Sequence, residues 1–230
     1  MHIRVELEAH FATPFSIGTG ALGGTTADKP LLKDAEGVPY LPGSALKGIV
    51  RHEAEKIMRS LWKEEAVCRS PNPATMCPQN RPQEKRFCPI CRIFGSPWLP
   101  SSLIFSDLKP GDRQDRQIMK DTKLRFGVGI SRNRKVAAEE LLYTLEVAPV
   151  AEAVPLRGTI EGNISDKEWK RLLALVIVAV RAVEAIGGAK SRGLGWVVLK
   201  AVEIEPVLSD TDIKEVLKEW LTSPSASPLP

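Results

Sequence analysis

"SDKEWKRLLALVIVAVRAVEAIGGAKSRGLGWVVLKAVEIEPV", residues 165–207, reads as a helix, a glycine-rich turn and a strand. Ser165 or Asp166 supplies the N-cap, and Gly187 closes the helix, because glycine accepts the left-handed conformation that ends helices. From Leu172 to Val180 the helix is apolar nearly all round, so it must pack across a sheet and not on a wetted surface. Those nine residues, bounded by Arg171 and Arg181, are too few to span a bilayer. "LGWVVLKAVEIEPV" (194–207) then predicts a strand.

Working outward, "PLRGTIEGNI" (155–164) and "LLYTLEVAPV" (141–150) read as two strands joined by a tight connection. Ile3, Val5, Leu7, Ala9 and Phe11 alternate with polar residues, which predicts a half-buried first strand. Residues 16–40 read as a long loop. In "PYLPGSALKGIVRHEAE" (39–55), Pro42 and Gly43 break the chain and Ser44 is the expected N-cap. Ala45, Leu46, Ile49, Val50, Ala54 and Ile57 then recur at helical spacing, carrying the helix to about Trp62. The order is β-α-(irregular)-β-β-α-β, with little periodicity over 66–120. Strand-helix-strand twice over is the split βαβ, so the expected class is α+β with a ferredoxin-like core, an arrangement that many RNA-recognition modules share. One domain is expected over 1–207, with an insertion at about 66–120. A short helix and a disordered Pro/Ser-rich tail are expected over 208–230.

Composition narrows the function classes. With 230 residues, 43% hydrophobic and 26% charged, the chain can bury a real core. The start, "MHIRVELEAHF", has no signal-peptide hydrophobic region, so a cytosolic protein is expected, in which four cysteines serve as thiols or metal ligands and not as disulfides. The net charge of +4 is uneven: from Lys47 to Lys135 there are 19 Lys and Arg against 9 Asp and Glu. A basic middle of that kind suits a polyanion such as nucleic acid.

Four motifs carry chemistry. Lys47 and Arg51 stand one turn apart near the positive end of the first helix, where free amides, dipole and cations together suit a phosphate. "GGAKSRGLGWV" (187–197) puts Lys190, Ser191 and Arg192 among glycines, a loop whose amides can crowd a phosphate. Its spacing is neither that of a P-loop nor of a dinucleotide fingerprint, and a helix cap with a flexible turn is the plainer alternative. Cys68, Cys77, Cys88 and Cys91 are spaced C-x8-C-x10-C-x2-C, and the "CPIC" knuckle is the usual half of a structural zinc site. Unligated thiols or a redox pair are the alternatives, although no strand-to-helix context for redox work is visible. "VGISRNRKVA" (128–137) predicts a basic β-hairpin turning near Asn133, flanked by Arg125 and carrying Arg132 and Arg134. Among loop acids Asp28 is the most suggestive and Asp34 the next. The histidines, His2, His10 and His52, sit in no polar motif.

With these pieces in order, "PYLPGSALKGIVR", "CRIFGS" (91–96), "GVGISRNRKVAAEELLYTLEV" and "GGAKSRGLGWV", the chain resembles the RAMP superfamily (repeat-associated mysterious proteins) of CRISPR systems over roughly residues 1–205. Within it the chain most resembles the repeated backbone subunit of type III, Csm-like effector complexes. The resemblance implies a prokaryotic, cytoplasmic protein stacked head-to-tail along guide RNA beside other effector subunits. A hairpin thumb would kink the guide–target duplex, and a loop aspartate would cut target RNA with a divalent cation, Mg or Mn. Asp28 matches that aspartate. Ser44, Lys47 and Arg51 match the guide-contacting helix start. Gly188, Lys190, Ser191, Arg192 and Gly193 match the glycine-rich loop, and Arg125, Arg132 and Arg134 fall in or beside the thumb. "SAL" stands where the family more usually has "SSL", and the cysteine-bearing insertion is not universal. A non-cleaving RAMP subunit and a guide-processing endoribonuclease are the alternative functions; the second usually employs histidine, which counts against it here.

Overall fold

The computed structural model describes residues 1–20, 27–61, 67–79, 87–150, 154–164 and 169–222. The first strand, β1 (His2–Phe11), buries its odd residues as expected: Ile3, Val5, Leu7, Ala9 and Phe11 are at most 4% exposed. Its even residues form the other face, where Arg4 pairs with Glu6 and Glu161, and Arg157 and His10 pair with Glu8. One face of the sheet is therefore dry and the other is wet and charged.

Strands β2 (Leu103–Phe105), β3 (Lys109–Pro110), β6 (Leu156–Asn163) and β7 (Val197–Glu205) complete that sheet. Its order is β2-β6-β1-β7, every pairing antiparallel, with β3 added beside β6. Helix α1 (Gly43–Leu61) packs on β2 and on α4 (Trp169–Arg181), and α4 packs on β7. Leu173 through Ile177 have no exposed surface, because α1, the sheet and a C-terminal helix, α5 (Asp210–Thr222), together enclose α4. Each Leu, Val or Ile among them contributes about 1.5–3 kcal/mol of burial, which explains an apolar surface on all sides. Among the described residues no helix is long and apolar enough to cross a membrane.

Four expectations change. The strands at 141–150 and 155–164 do not pair with each other: β5 (Ala137–Val147) pairs with β4 (Lys123–Ile130) in a separate two-stranded sheet, while β6 joins the main one. The reason is complementarity, since Ile160 and Leu156 lie opposite Val5 and Ala9 on the dry face. The stretch read as an irregular insertion supplies β2, β3 and two helices, α2 (Pro89–Phe94) and α3 (Arg113–Met119). It buries Ile90, Ile93, Leu103 and Leu108 in the common core, and strands this short leave too few residues to show a period. Helix α4 ends at Arg181 and not at Gly187, because residues 184–186 turn away to pair with 195–197: Ile186 donates to the Gly195 carbonyl and Val197 to that of Glu184. Gly195 is required there, since its φ is +76° and a Cβ would meet the Ile186 carbonyl oxygen at 1.9 Å.

Finally, Ser44 is not the N-cap of α1. The Pro42 carbonyl already accepts from Ala45 and Leu46, and the Gly43 amide donates to the Asp107 carboxylate at 2.9 Å. A Cβ on Gly43 would overlap the Phe105 carbonyl, so glycine lets this helix start press against the chain after β2. Helix α1 is described as far as Leu61; the expected end at about Trp62, the Ser165/Asp166 cap and the tail after Thr222 lie outside the described residues.

Candidate nucleic-acid interface and metal centre

Three separate sequence motifs meet at the base of the β4–β5 hairpin. Residues 28–31 run along the free edge of β5: Lys29 donates to the Thr144 carbonyl and accepts from the Glu146 amide. The Asp28 carboxylate takes two bonds on one oxygen, from the Thr144 amide at 2.6 Å and its hydroxyl at 3.0 Å. These bonds to the ionised form, the amide's first, hold the exposed Asp28 below the usual carboxylate range. Glu146 anchors the same edge by accepting from Lys33, Thr122 and the Leu31 amide.

Across the hairpin, Tyr143 lies between two cations, the Lys29 ammonium 5.6 Å and the Arg192 guanidinium 5.3 Å from its ring centre. Arg192 comes from the glycine-rich loop, which docks through Ala189 and Leu194 onto Leu145 and Val147. A cavity of about 280 Å³ opens between them, lined by Arg125, Phe126, Tyr143 and Arg192 among others.

The loop works differently from the sequence reading. The amides of Gly188, Arg192, Gly193, Leu194 and Gly195 donate to carbonyls within the protein, so they form no nest for a phosphate. What it presents to solvent is the exposed trio Lys190, Ser191 and Arg192, on one 3-10 turn flanked by left-handed Ala189 and Gly193. Lys190 also borders a groove of about 680 Å³ along α1, with His52, Lys56 and Gly48.

The helix-start residues separate. Ser44 is exposed; Lys47 and Arg51 line a cavity of about 440 Å³ whose other walls are Ser70, Met76, Phe94 and Gly95. Burial, and then Arg51, lower the Lys47 pKa, as a cation in a partly dry pocket beside another should behave. The Arg51 side chain is only 18% exposed, donating to Glu55 and to the Gly95 carbonyl, both at 3.0 Å. Glu55, 4% exposed, also accepts from Arg59 and Ser70.

Cys68, Cys77, Cys88 and Cys91 are all buried, with their sulfurs within 4.8 Å of one another. Cys68 and Cys91 Sγ stand 3.3 Å apart and Cys68 and Cys88 Sγ 3.7 Å. Four sulfurs each about 2.3 Å from a central zinc stand roughly 3.8 Å apart, so the set fits a tetrahedral ion. Bonds from the neighbouring thiols, Cys68 first, pull Cys77 and Cys88 toward thiolate, whereas the same contacts push Cys68 and Cys91 up. The two wide-set cysteines are brought in by the turn around Pro73–Thr75, whose Asn72 side chain caps it.

Along the hairpin the expected basic residues are present and exposed: Arg125 on β4, and Arg132 and Arg134 in the turn that Ser131 and Val136 close. Between base and tip the ribbon is apolar. Phe126 is 72% and Leu142 70% exposed, and Ile130, Val128 and Leu141 are also open. The apolar ribbon, Tyr143, Thr144, Asp107 and Glu55 were not picked out from sequence; the missed signal was the alternation "LRFGVGI", an apolar stripe with no partner stripe to cover it. Asp34 is committed to Arg116 and to the Glu36 and Val38 amides, which makes it a turn residue.

No curated protein matches the chain. The family description RAMPs, the RAMP superfamily, matches residues 8–198, which takes in the Asp28 loop, α1, the cysteines, the hairpin and the glycine-rich loop. The chain belongs to the RAMP superfamily, whose members are CRISPR-associated RNA-binding proteins.

Proposed function

We propose that this chain is a guide-RNA-binding backbone subunit of a type III, Csm-like effector complex, stacking head-to-tail along the guide and cutting bound target RNA. The observation that carries the reading is the meeting of three motifs at the hairpin base: Asp28 bonds to Thr144, while Lys29 and Arg192, the latter from the Lys190–Arg192 turn, approach the neighbouring Tyr143 ring. A phosphate backbone needs cations, bases need flat or apolar surfaces, and cleavage needs a carboxylate beside both. In this reading residues 1–207 are the functional unit, with a ferredoxin-like core supported by the strand order β7-β1-β6-β2 and its two crossing helices. The β4–β5 hairpin is the thumb, its apolar ribbon of Phe126, Val128 and Leu142 suited to wedging between base steps. The partners are guide RNA, target RNA, further copies and other effector subunits of a prokaryotic cytoplasm.

Cleavage proceeds by attack of the target's 2′-oxygen on the adjacent phosphorus, its proton passing to solvent, while the bond to the 5′-oxygen breaks and that oxygen takes a proton from water, leaving a cyclic phosphate and a hydroxyl end. Kinking the strand brings these three atoms towards a line. Asp28, held ionised by Thr144, is a weak base, and would instead hold a divalent cation. That cation, Mg or Mn, would supply charge stabilisation for the transition state. Structural zinc in the cysteine cluster would hold the segments around Cys68–Cys77 and Cys88–Cys91 together.

One observation favours a non-cleaving assembly subunit instead: the double bond from Thr144 gives Asp28 a structural duty of its own. The interface itself is tested by RNA binding against salt. Lys47→Ala, Lys190→Ala and Arg192→Ala should each weaken binding to all sequences alike and reduce the salt slope by about one unit. Altered base preference at an unchanged slope would overturn the phosphate reading.

A further inference from the structure

Among the described residues Glu55 is the one buried acidic or basic side chain, and it lies between two sites. Toward the cavity, its Oε1 accepts from Arg51 Nε at 3.0 Å. Toward the cysteines, the same oxygen accepts from the Ser70 hydroxyl at 2.7 Å, two residues after Cys68. Its Oε2 accepts from Arg59 at 3.3 Å, and Arg59 also donates to the Cys68 carbonyl. The second cysteine pair reaches Arg51 from the opposite side: the Gly95 carbonyl accepts from Arg51, and the Gly95 amide donates to the Cys91 carbonyl at 2.8 Å.

Arg51 is thus held in place by both segments that carry the thiols. Its remaining terminal nitrogen, Nη2, is buried and has no hydrogen-bond partner among the described residues. A buried guanidinium nitrogen left unpaired is costly, and an anion in the adjoining cavity would relieve it. The cavity wall opposite Lys47 is built from the same segments, Ser70, Met76, Phe94 and Gly95. With the ion gone, nothing ties the Cys68–Cys77 and Cys88–Cys91 segments together through their sulfurs, and the Ser70 and Gly95 holds on Arg51 slacken together.

We propose that Glu55 is a positioning residue coupling the four-cysteine metal site to the Lys47–Arg51 cavity, so that metal loading sets how tightly the cavity holds an RNA phosphate. The proposal rests on reading that cavity as a guide-RNA contact. Coupling of this kind is reciprocal: RNA must slow zinc loss as much as zinc tightens RNA.

The test uses the full chain, a labelled single-stranded guide-like RNA and a colorimetric zinc chelator. Removing zinc should weaken RNA binding about tenfold, the scale of one charge-assisted hydrogen bond, and bound RNA should slow zinc release to the chelator. Glu55→Gln keeps the size of the side chain and should keep one zinc per chain. With zinc bound it should nevertheless bind RNA about three- to tenfold more weakly, and it should lose most of the remaining zinc dependence. The Glu55→Gln measurement needs no folded metal-free protein. If zinc-loaded Glu55→Gln binds RNA like the wild type and RNA leaves zinc release unchanged, the coupling is wrong. If Lys47→Ala binds RNA as the wild type does at every salt concentration while zinc still affects binding, the cavity reading fails and not the metal's influence.

Discussion

Thr144 donates both its amide and its hydroxyl to a single oxygen of Asp28, and its own hydroxyl accepts in turn from the Asp28 amide at 2.9 Å. A loop residue is thereby fixed to the second strand of a hairpin more than a hundred positions away in sequence. Because these bonds lower the Asp28 pKa, the tie is complete above the ordinary carboxylate range and is lost only as pH falls through the depressed value.

Thr144→Val removes the hydroxyl and leaves the amide bond. In the account above it should leave guide binding within about twofold while slowing target cleavage roughly tenfold or more, because a positioning contact near reacting atoms is lost. Binding and single-turnover cleavage measured side by side separate these; equal losses in both would mean that the contact only supports the fold.

The cysteine cluster should hold one zinc per chain. Metal analysis of purified protein should find it near stoichiometric, and replacing Cys88 and Cys91 by serine should abolish it. Loss of the ion should lower thermal stability by several degrees, since structural zinc contributes folding energy directly. A metal-free protein of unchanged melting temperature would contradict this.

The apolar ribbon predicts a separation of folding from assembly. Phe126→Ser with Leu142→Ser should change stability by no more than about 0.5 kcal/mol per site, since both side chains already face solvent. The same variant should impair target kinking and the regular spacing of cuts. Wild-type copies should accumulate on guide-like RNA in proportion to its length, as a head-to-tail contact that does not close requires. A fixed dimer at every RNA length, seen by mass photometry, would rule that out.

The sequence exposed some of this and hid the rest for physical reasons. Alternation in β1 and the fully apolar middle of α4 were legible because each buries a complete face or surface, which leaves a periodic trace. The hairpin turn near Asn133 was legible from the alternation that flanks it, and the four cysteines from their spacing. The end of α4 was not, since Gly187 serves the packing against Ser16 and not a helix cap. Nor was the start of α1, whose first amide is met by Asp107, 64 residues on, a partner no local rule can supply. Lys47 and Arg51 looked equivalent at one turn's spacing. Only the fold shows that Arg51 is committed to buried Glu55, so that Arg51→Ala would take away one of that carboxylate's three partners, leaving Arg59 and Ser70, as well as remove a cation.

Cleavage of target RNA by the assembled complex carrying Asp28→Asn is the most direct test of the central claim. Asparagine keeps the size and can still accept from Thr144, while it removes the charge that would hold a divalent cation. Guide and target binding should persist within about twofold, and Mg- or Mn-dependent cleavage should fall by at least about a hundredfold. Cleavage at the wild-type rate by that variant would show that Asp28 is only a tie to Thr144 and that the chain is a non-cleaving RNA-binding subunit.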